Sequence, residues 1–366
     1  MKRGRLDELE GFRGLMAWWV VLGHLAFVFS DRAGDLSHNR SAVMGFIALS
    51  GFVITGLLNR GEENYAAFLT RRVFRLWPVY LLALILSAAT LTWQRQGLVD
   101  APFHPGRSLF RIAEIDQAMS HLGAQFLAHA VMLHGLVPQK LLPGVDLAIM
   151  GQAWSLSVEL QYYLIAPAFV ALIRRGRLGV ALAVVAAVGL YALHWAPWLR
   201  GNTAFIAVYT PWFAVGMATF YLSRWQDRRR AAWAAGAMAV MLLGVTLVFR
   251  EPGALAWILV LWLLIRPGWL NRALAHPILR RIGEASYSTY VFHMLVIMLG
   301  AYALNFLHMP RGVYAIALSA GTVVVTLGLS LFTFKYVEKR ANDAGYRLSR
   351  KYFGPQPHQA DLLTAP

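Results

Sequence analysis

The sequence predicts an all-α polytopic integral membrane protein, with about ten transmembrane helices and one further amphipathic or re-entrant helix at the outer side. Hydrophobic residues make up 58% of the 366 positions, charged residues make up only 14%, and long apolar runs recur along nearly the whole chain. A soluble protein of this size does not have so apolar a composition. We therefore exclude the soluble classes and place the chain in a membrane.

Ten apolar runs have the roughly 17 to 25 residues that a helix needs to cross a bilayer. We predict spans at residues 11–30, 41–59, 73–93, 153–173, 178–196, 204–222, 231–249, 253–267, 285–305 and 312–334. A further apolar segment at 121–137 is predicted to be the amphipathic or re-entrant helix. No cleavage pattern follows the first run, so we expect it to remain as a helix.

The basic residues distinguish a ten-span from an eleven-span topology. With ten spans, most of the 34 lysines and arginines lie on one side, which the positive-inside rule identifies as cytoplasmic. An eleventh span at 121–137 would divide the basic loops between the two faces. We therefore predict that both termini are cytoplasmic. Residues 1–340 form the predicted membrane domain, and residues 341–366 form a cytoplasmic tail that is disordered after Tyr352.

The net charge of +16 does not indicate a nucleic-acid partner in this chain. Its arginines lie between apolar spans, where they determine topology and contact membrane lipids. We expect membrane lipids and no nucleic acid among the partners. The chain has no cysteine, which excludes disulfides and thiolate metal sites.

Few ionisable side chains lie within the spans, and each is therefore a candidate functional residue. At 1.5 Å per residue, His24 and Glu159 lie about 20 and 21 Å from the cytoplasmic ends of their spans, and His293 about 12 Å. Arg13 precedes His24 by eleven residues and shares its helix face. An imidazole with a carboxylate at the same depth suits a general base, so we expect Glu159 to hold the tautomer of His24.

Structural roles are the alternatives for all three of these residues. His24 and His293 are also explained as hydrogen bonders between packed helices, and Glu159 as an interfacial carboxylate bonded to a neighbouring helix. The remaining membrane-flanking histidines fall in loops or at span ends, where we expect solvated side chains: His104, His121, His129, His134, His194 and His308.

A basic cluster, Arg71, Arg72 and Arg75, stands at the start of the third span. Arg72 and Arg75 are three residues apart, so on a helix they share a face and can hold phosphate oxygens between them. The alternative is an anchor that binds lipid head groups. In the second span, the small pair Ser50-Gly51 permits close helix approach or a kink.

Five motifs in series resemble acyltransferase family three, whose polytopic members O-acylate bacterial surface glycans and also some antibiotics and lipids. The motifs are LEGFRG at 9–14 with His24, LSGFVI at 49–54, RRVFRLWPVY at 71–80, WSLSVE at 154–159, and SYSTY at 286–290 with His293. They cover nearly the whole chain in the family's order. Departures are Glu10 at the first acidic position, and Met44 and Leu160 where the family often has further acidic residues.

The resemblance implies a role for each matching residue. His24 is the essential base, Arg13 is its paired arginine, and Arg72 and Arg75 bind the donor together with the neighbouring Arg71. The remaining motif positions are predicted to contact substrate: Trp154, Ser50, Tyr290 and His293.

The resemblance also implies the activity and its location. The expected enzyme is an O-acetyltransferase of the bacterial inner membrane that takes an acyl group from cytoplasmic acyl-CoA, most often acetyl-CoA, and requires no metal. The expected acceptor is a hydroxyl of a carbohydrate or lipid-linked glycan at the outer side. Many members carry an additional soluble esterase-like domain, which we do not expect here.

Three other functions fit the same residues. A proton-coupled transporter would use His24 and Glu159 as its relay. A haem-binding membrane cytochrome would use His24 and His293 as axial ligands. A non-catalytic partner in a glycan-export complex would need neither a proton relay nor a pair of haem ligands.

Overall fold

A computed structural model describes residues 4–59, 64–224, 227–249, 253–265 and 268–354. These residues form helices and connecting turns, and they contain no strand. The first ten helices are α1 (Gly4–Phe29), α2 (Asp31–Ser37), α3 (Asn39–Asn59), α4 (Tyr65–Ala89), α5 (Leu91–Val99), α6 (Gly106–Ser120), α7 (Leu122–Ala130), α8 (Trp154–Ile173), α9 (Arg177–Ala192) and α10 (Thr210–Ser223).

The remaining helices are α11 (Arg228–Phe249), α12 (Gly253–Ile265), α13 (Trp269–Leu274), α14 (Pro277–Glu284), α15 (Ser286–Asn305), α16 (Arg311–Thr333) and α17 (Lys339–Phe353). Short 3-10 turns occur at His134–Leu136, Gly151–Ala153, Leu193–Trp195 and Ile206–Tyr209, and a π-helical turn at Phe334–Glu338 joins α16 to α17.

Eight stretches of the described chain are long and apolar enough to cross a membrane. They correspond to eight of the ten predicted spans, and the other two, 231–249 and 253–267, correspond to α11 and α12; residues 266 and 267 lie outside the described residues. The prediction of an all-α polytopic membrane protein is confirmed. The eight stretches are Asp7–Phe29, Asp31–Asn59, Tyr65–Ala89, Gly151–Ile173, Arg177–Trp195, Ile206–Ser223, Ser286–Asn305 and Arg311–Phe353.

The segment predicted as an amphipathic or re-entrant helix, 121–137, contains the nine-residue α7 and a 3-10 turn. Nine residues rise only about 14 Å, which is too short to cross a bilayer. The segment is fastened to spanning helices by side-chain bonds. Trp77 Nε1 of α4 donates to the carbonyl of Ala130 over 2.7 Å, and the Gly135 N–H donates to Ser157 Oγ of α8 over 3.1 Å.

The expectation that His129 and His134 are solvated was wrong. Both side chains are fully buried, and their rings stack with centroids 4.0 Å apart. His129 Nε2 donates to the Val145 carbonyl over 2.9 Å, and Tyr80 of α4 donates to the His129 carbonyl over 3.0 Å. The segment 121–145 packs against α4 and α8, and this packing removes both rings from water.

Helices α3 and α10 approach closely through glycines. A Cβ atom added at Gly51 would overlap the carbonyl oxygen of Phe213, and one added at Gly216 would overlap that of Ala48. The Ser50-Gly51 pair therefore provides the close approach that the sequence indicates. The side chain of Ser50, next to this contact, is free to turn toward α8.

The predicted boundary at residue 340 falls at the start of α17, and residues up to Phe353 are helical. Gly345 of α17 lies against Phe74 of α4, and the Arg71 guanidinium lies 6.0 Å from the Tyr346 ring centroid. Residues 341–353 are thus packed against the membrane domain. The part of the predicted tail after residue 354 lies outside the described residues.

Candidate active site

Two cavities lie along α1, on either side of the Tyr290 side chain. The first has a volume of about 130 Å³ and is lined by the Arg13 end of α1; the second has a volume of about 340 Å³ and is lined by the His24 end. The eleven residues from Arg13 to His24 correspond to about 16 Å of helix. Tyr290 and Val43 line both cavities, so they form the wall between them.

The first cavity contains three arginines from two helices. Arg13 of α1 and Arg72 and Arg75 of α4 all line it. Arg13 forms an ion pair with Glu10, with Nη1 2.9 Å from Oε2, and Arg72 is 3% exposed. Guanidinium groups bind phosphate and carboxylate oxygens through paired N–H donors. This cavity therefore has the chemistry to bind a phosphorylated ligand.

Arg71 has a different position from the other two arginines of its cluster. It is buried against α17, below the Tyr346 ring, and it does not line the first cavity. Consecutive residues on a helix point about 100° apart, so Arg71 and Arg72 cannot share a face. The pair Arg72 and Arg75 does share one, as the three-residue spacing predicts.

Glu159 lies in the first cavity together with the arginines. Its Oε1 accepts a hydrogen bond from Ser50 Oγ over 2.9 Å and another from the Tyr163 hydroxyl. His24 lines the second cavity, so the expected pairing of Glu159 with His24 is not formed. The two side chains face different cavities, Glu159 the one at the Arg13 end of α1 and His24 the one at the other end.

The partner of His24 is His293 of α15. His24 Nδ1 lies 3.1 Å from His293 Nε2, and it also lies 3.1 Å from the carbonyl oxygen of Val20. His293 Nδ1 lies 2.7 Å from the carbonyl oxygen of Tyr290. His24 is half-buried at the cavity, whereas His293 is fully buried behind it.

These distances fix which ring nitrogens carry hydrogen. A carbonyl oxygen only accepts, so Nδ1 of His293 must donate to Tyr290, and Nε2 of a neutral His293 has the lone pair. His24 Nδ1 must then donate to His293 and Val20. A neutral His24 consequently carries its lone pair on Nε2, the nitrogen that a general base uses to take a proton.

The wall between the cavities is held by hydroxyl groups. The Tyr290 hydroxyl lies 2.7 Å from Ser155 Oγ and donates to the Gln152 carbonyl over 3.0 Å. On the second-cavity side, the Trp154 and Tyr209 rings stack with centroids 5.0 Å apart. Ser155 lies on the first-cavity side.

Helix α6 brings charged residues to the second cavity, and none of them was among the predicted site residues. Arg107, Arg111 and Glu114 line it, and Arg40 of α3 joins them. The spacing of four and three residues places the three α6 side chains on one helix face, which is the sequence signal that identifies them. Arg111 is buried, and its Nη atoms donate to the carbonyls of residues 147–149.

The four residues predicted to contact substrate each have a different position relative to the cavities. Ser50 lines the first cavity, Trp154 lines the second, and Tyr290 lines both. His293 lies behind His24 and lines neither cavity, so its position suits a partner of His24 better than a substrate contact.

Comparison with known proteins decides the family. Residues 6–332 match the acyltransferase domain that defines acyltransferase family 3. The chain belongs to this family. A protein of Komagataeibacter xylinus named "Putative membrane-bound transacylase BcsY" is 27% identical over 358 residues, which cover 93% of this chain and 84% of that protein. No solved structure matches the chain.

A second relative matches only part of the chain. "Protein 2 in picA locus" of Rhizobium radiobacter is 38% identical over 89 residues, covering 23% of this chain and 45% of that protein. The family match and the spanning helices together identify a membrane acyltransferase. Membership in family 3 therefore implies that the chain transfers an acyl group from a donor to an acceptor.

Proposed function

We propose that this acyltransferase moves an acyl group, most often acetyl, from cytoplasmic acyl-CoA to a hydroxyl of a carbohydrate or lipid-linked glycan presented at the outer side of the bacterial inner membrane. The phosphates of the donor bind in the first cavity, its thioester arm extends past Tyr290 to His24, and the acceptor binds in the second cavity. The observation that carries the proposal is the His24 and His293 pair, because it supplies a base in the second cavity, on the other side of Tyr290 from Arg72 and Arg75.

The arginines of the first cavity support a CoA donor. Arg72 and Arg75 present paired N–H donors, and CoA carries several phosphate oxygens that such groups bind. The thioester end of CoA lies at the end of a long thin arm. The roughly 16 Å of α1 between Arg13 and His24 suits an arm of that extended length.

The hydrogen-bond chain supports His24 as the base. Its lone pair on Nε2 accepts the proton of the acceptor hydroxyl while the oxygen attacks the thioester carbonyl carbon. The new C–O bond forms, the C–S bond breaks, and the sulfur leaves as a thiolate that takes the proton from His24. The products are an ester and CoA with a free thiol.

The rival functions gain no support from these positions. A proton relay needs His24 and Glu159 within reach of each other, and they line different cavities. Two axial haem ligands need space for an iron between them, with metal–nitrogen bonds of about 2 Å each. The 3.1 Å between the His24 and His293 nitrogens is too short for that arrangement.

The test replaces His24 by alanine in cells that lack the chromosomal gene. We expect O-acetyl groups on surface glycans or lipids, measured by mass spectrometry, to fall by about 10²-fold or more, which is the contribution of a positioned base. The His104→Ala variant is the matched control, because His104 is exposed and lines neither cavity. Wild-type levels of O-acetylation in His24→Ala cells would refute the proposal.

A further inference from the structure

The second cavity has an excess of positive charge. Three arginines line it, Arg40, Arg107 and Arg111, against the one carboxyl group of Glu114. Among the ion pairs of the described chain, none joins these arginines to a carboxylate within 4.0 Å. The cavity wall therefore has two more arginines than carboxyl groups.

Arg111 is the least solvated of these cations. It is 9% exposed, and its Nη1 and Nη2 atoms donate to the carbonyls of Leu147, Ala148 and Ile149 over 2.5 to 3.0 Å. Its Nε is buried and has no hydrogen-bond partner among the described residues. Burial lowers the pKa of Arg111 to about 10, so the group stays charged at neutral pH. A buried charge with only neutral partners lacks the compensation that a carboxylate gives.

Glu114 does not supply this compensation. Its Oε2 atom is buried and has no hydrogen-bond partner among the described residues. Burial, reinforced by the negative charge of Asp146, raises the pKa of the Glu114 carboxyl group. One carboxyl group offsets the charge of at most one of the three arginines, so the cavity keeps an excess of positive charge.

The same cavity offers a surface for a ring-shaped ligand. The stacked Trp154 and Tyr209 rings lie at its wall, and the Arg40 guanidinium contacts the Tyr209 hydroxyl. Trp and Tyr rings combine a flat apolar face with a polar group at the edge. The apolar face of a sugar ring can pack against the flat face. The cavity therefore places the cation of Arg40 next to the aromatic surface of Trp154 and Tyr209.

We propose that the acceptor is an acidic sugar, one that carries a carboxylate or a phosphate group, bound with its anion at Arg107 and Arg111 and its hydroxyl at His24; this inference rests on the acyl transfer proposed above. Proton transfer to His24 creates an imidazolium near two guanidinium groups, which repel it. The anion of the acceptor offsets that repulsion. An acidic acceptor therefore serves both binding and proton uptake.

The test measures binding directly, so it does not depend on acyl transfer. Thermal unfolding of the full-length protein in lipid nanodiscs is followed with glucuronic acid, glucose 6-phosphate, inorganic phosphate or glucose. We expect glucuronic acid, glucose 6-phosphate or both to raise the unfolding midpoint, and glucose not to do so. Stabilisation by glucuronic acid identifies a sugar carboxylate as the preferred group, and stabilisation by glucose 6-phosphate identifies a sugar phosphate, as in a lipid-linked sugar.

Variants identify the residues involved. Arg107→Gln should weaken binding of the acidic sugar by about tenfold, the loss expected for one charge-assisted contact. Arg95→Gln is the matched control, because Arg95 is exposed, pairs with Asp116 and lies outside the cavity. Arg111 is left intact. Its guanidinium holds the carbonyls of residues 147–149, so replacing it would change folding as well as binding.

Three results would overturn the inference: glucose stabilising as well as the acidic sugars, inorganic phosphate alone matching glucose 6-phosphate, or an unchanged affinity in Arg107→Gln. A different result would reject the proposed function. Binding of an acidic sugar that depends on Arg107, without acyl transfer from acetyl-CoA, would retain the anion site and reject the acyltransferase mechanism.

Discussion

His24 on α1 and His293 on α15 are joined by a 3.1 Å contact between Nδ1 and Nε2, although 269 residues separate them in the chain. The contact is one link in a chain of hydrogen bonds from the Tyr290 carbonyl through His293 to His24. The Tyr290 carbonyl of α15, through His293, and the Val20 carbonyl of α1 both favour the His24 tautomer whose lone pair is on Nε2. His293 acts through His24, so it is a positioning residue.

We predict that His293→Leu lowers kcat by about 10- to 100-fold and leaves the KM values for donor and acceptor nearly unchanged. Leucine cannot accept the Nδ1–H of His24, so the ring keeps only its bond to the Val20 carbonyl and its orientation is less firmly held. His293→Gln should recover much of the loss, because an amide can donate to Tyr290 and accept from His24. Steady-state kinetics with labelled acetyl-CoA measures both variants.

The outcome distinguishes positioning from simple packing. A packing role predicts that glutamine and leucine differ in thermal stability but have equal kcat, and it predicts no change in the pH profile. A positioning role predicts that the acid limb of kcat/KM shifts in the leucine variant. Equal kcat values for the two variants would therefore contradict the role assigned here.

Much of the fold follows from local sequence properties. Span positions depend on the length of apolar runs, and the shared face of Arg72 and Arg75 depends on helical periodicity, so both could be predicted without tertiary information. The direction in which each side chain points around its helix could not be predicted in this way. That direction places Glu159 with Ser50 and the arginines of the first cavity.

Other features of the site depend on contacts between distant segments. The pairing of His24 with His293 requires the packing of α1 against α15, which no spacing within one helix encodes. The burial of His129 requires the segment 121–145 to pack against α4. Loop histidines are usually solvated, so composition alone leads to the wrong expectation at this position.

We predict that Arg72→Gln and Arg75→Gln each raise the KM for acetyl-CoA by about tenfold, with a much smaller effect on kcat. Each change removes paired donors to phosphate from the first cavity. Arg71→Gln is the matched control, since Arg71 packs against Tyr346 and lies outside this cavity. Inhibition by free CoA gives a second readout. If the three variants altered only membrane topology or protein level, the arginines would be lipid anchors.

Tyr290 separates the two cavities, so its removal should expose the donor to water. We predict that Tyr290→Ala raises hydrolysis of acetyl-CoA in the absence of acceptor by about tenfold, because the side chain and its bonds to Ser155 and Gln152 form the wall. Release of free CoA, followed with a thiol reagent, measures this hydrolysis. Phe46→Ala is the control, since Phe46 lines only the first cavity. Equal hydrolysis in both variants would show that Tyr290 is not the barrier.

The stacked histidines His129 and His134 predict a loss of stability in acid. Burial lowers the pKa of His129 to about 4 and that of His134 well below its ordinary value, whereas both titrate near 6.5 in an unfolded chain. Between pH 6.5 and 4 the unfolded chain binds more protons than the folded one, so stability falls as the pH falls. His129 alone accounts for about 3 kcal/mol across this range.

The thermal unfolding midpoint, measured from pH 7.5 to 4.5, tests this relationship. We predict a decline that begins near pH 6.5 and is smaller in His134→Phe, because phenylalanine keeps the stacked ring and removes one group that must be neutral when buried. His121→Asn is the control, since His121 is exposed and should leave the decline unchanged. If His134→Phe followed the wild-type curve, the acid sensitivity would come from other groups and the buried histidine pair would not control it.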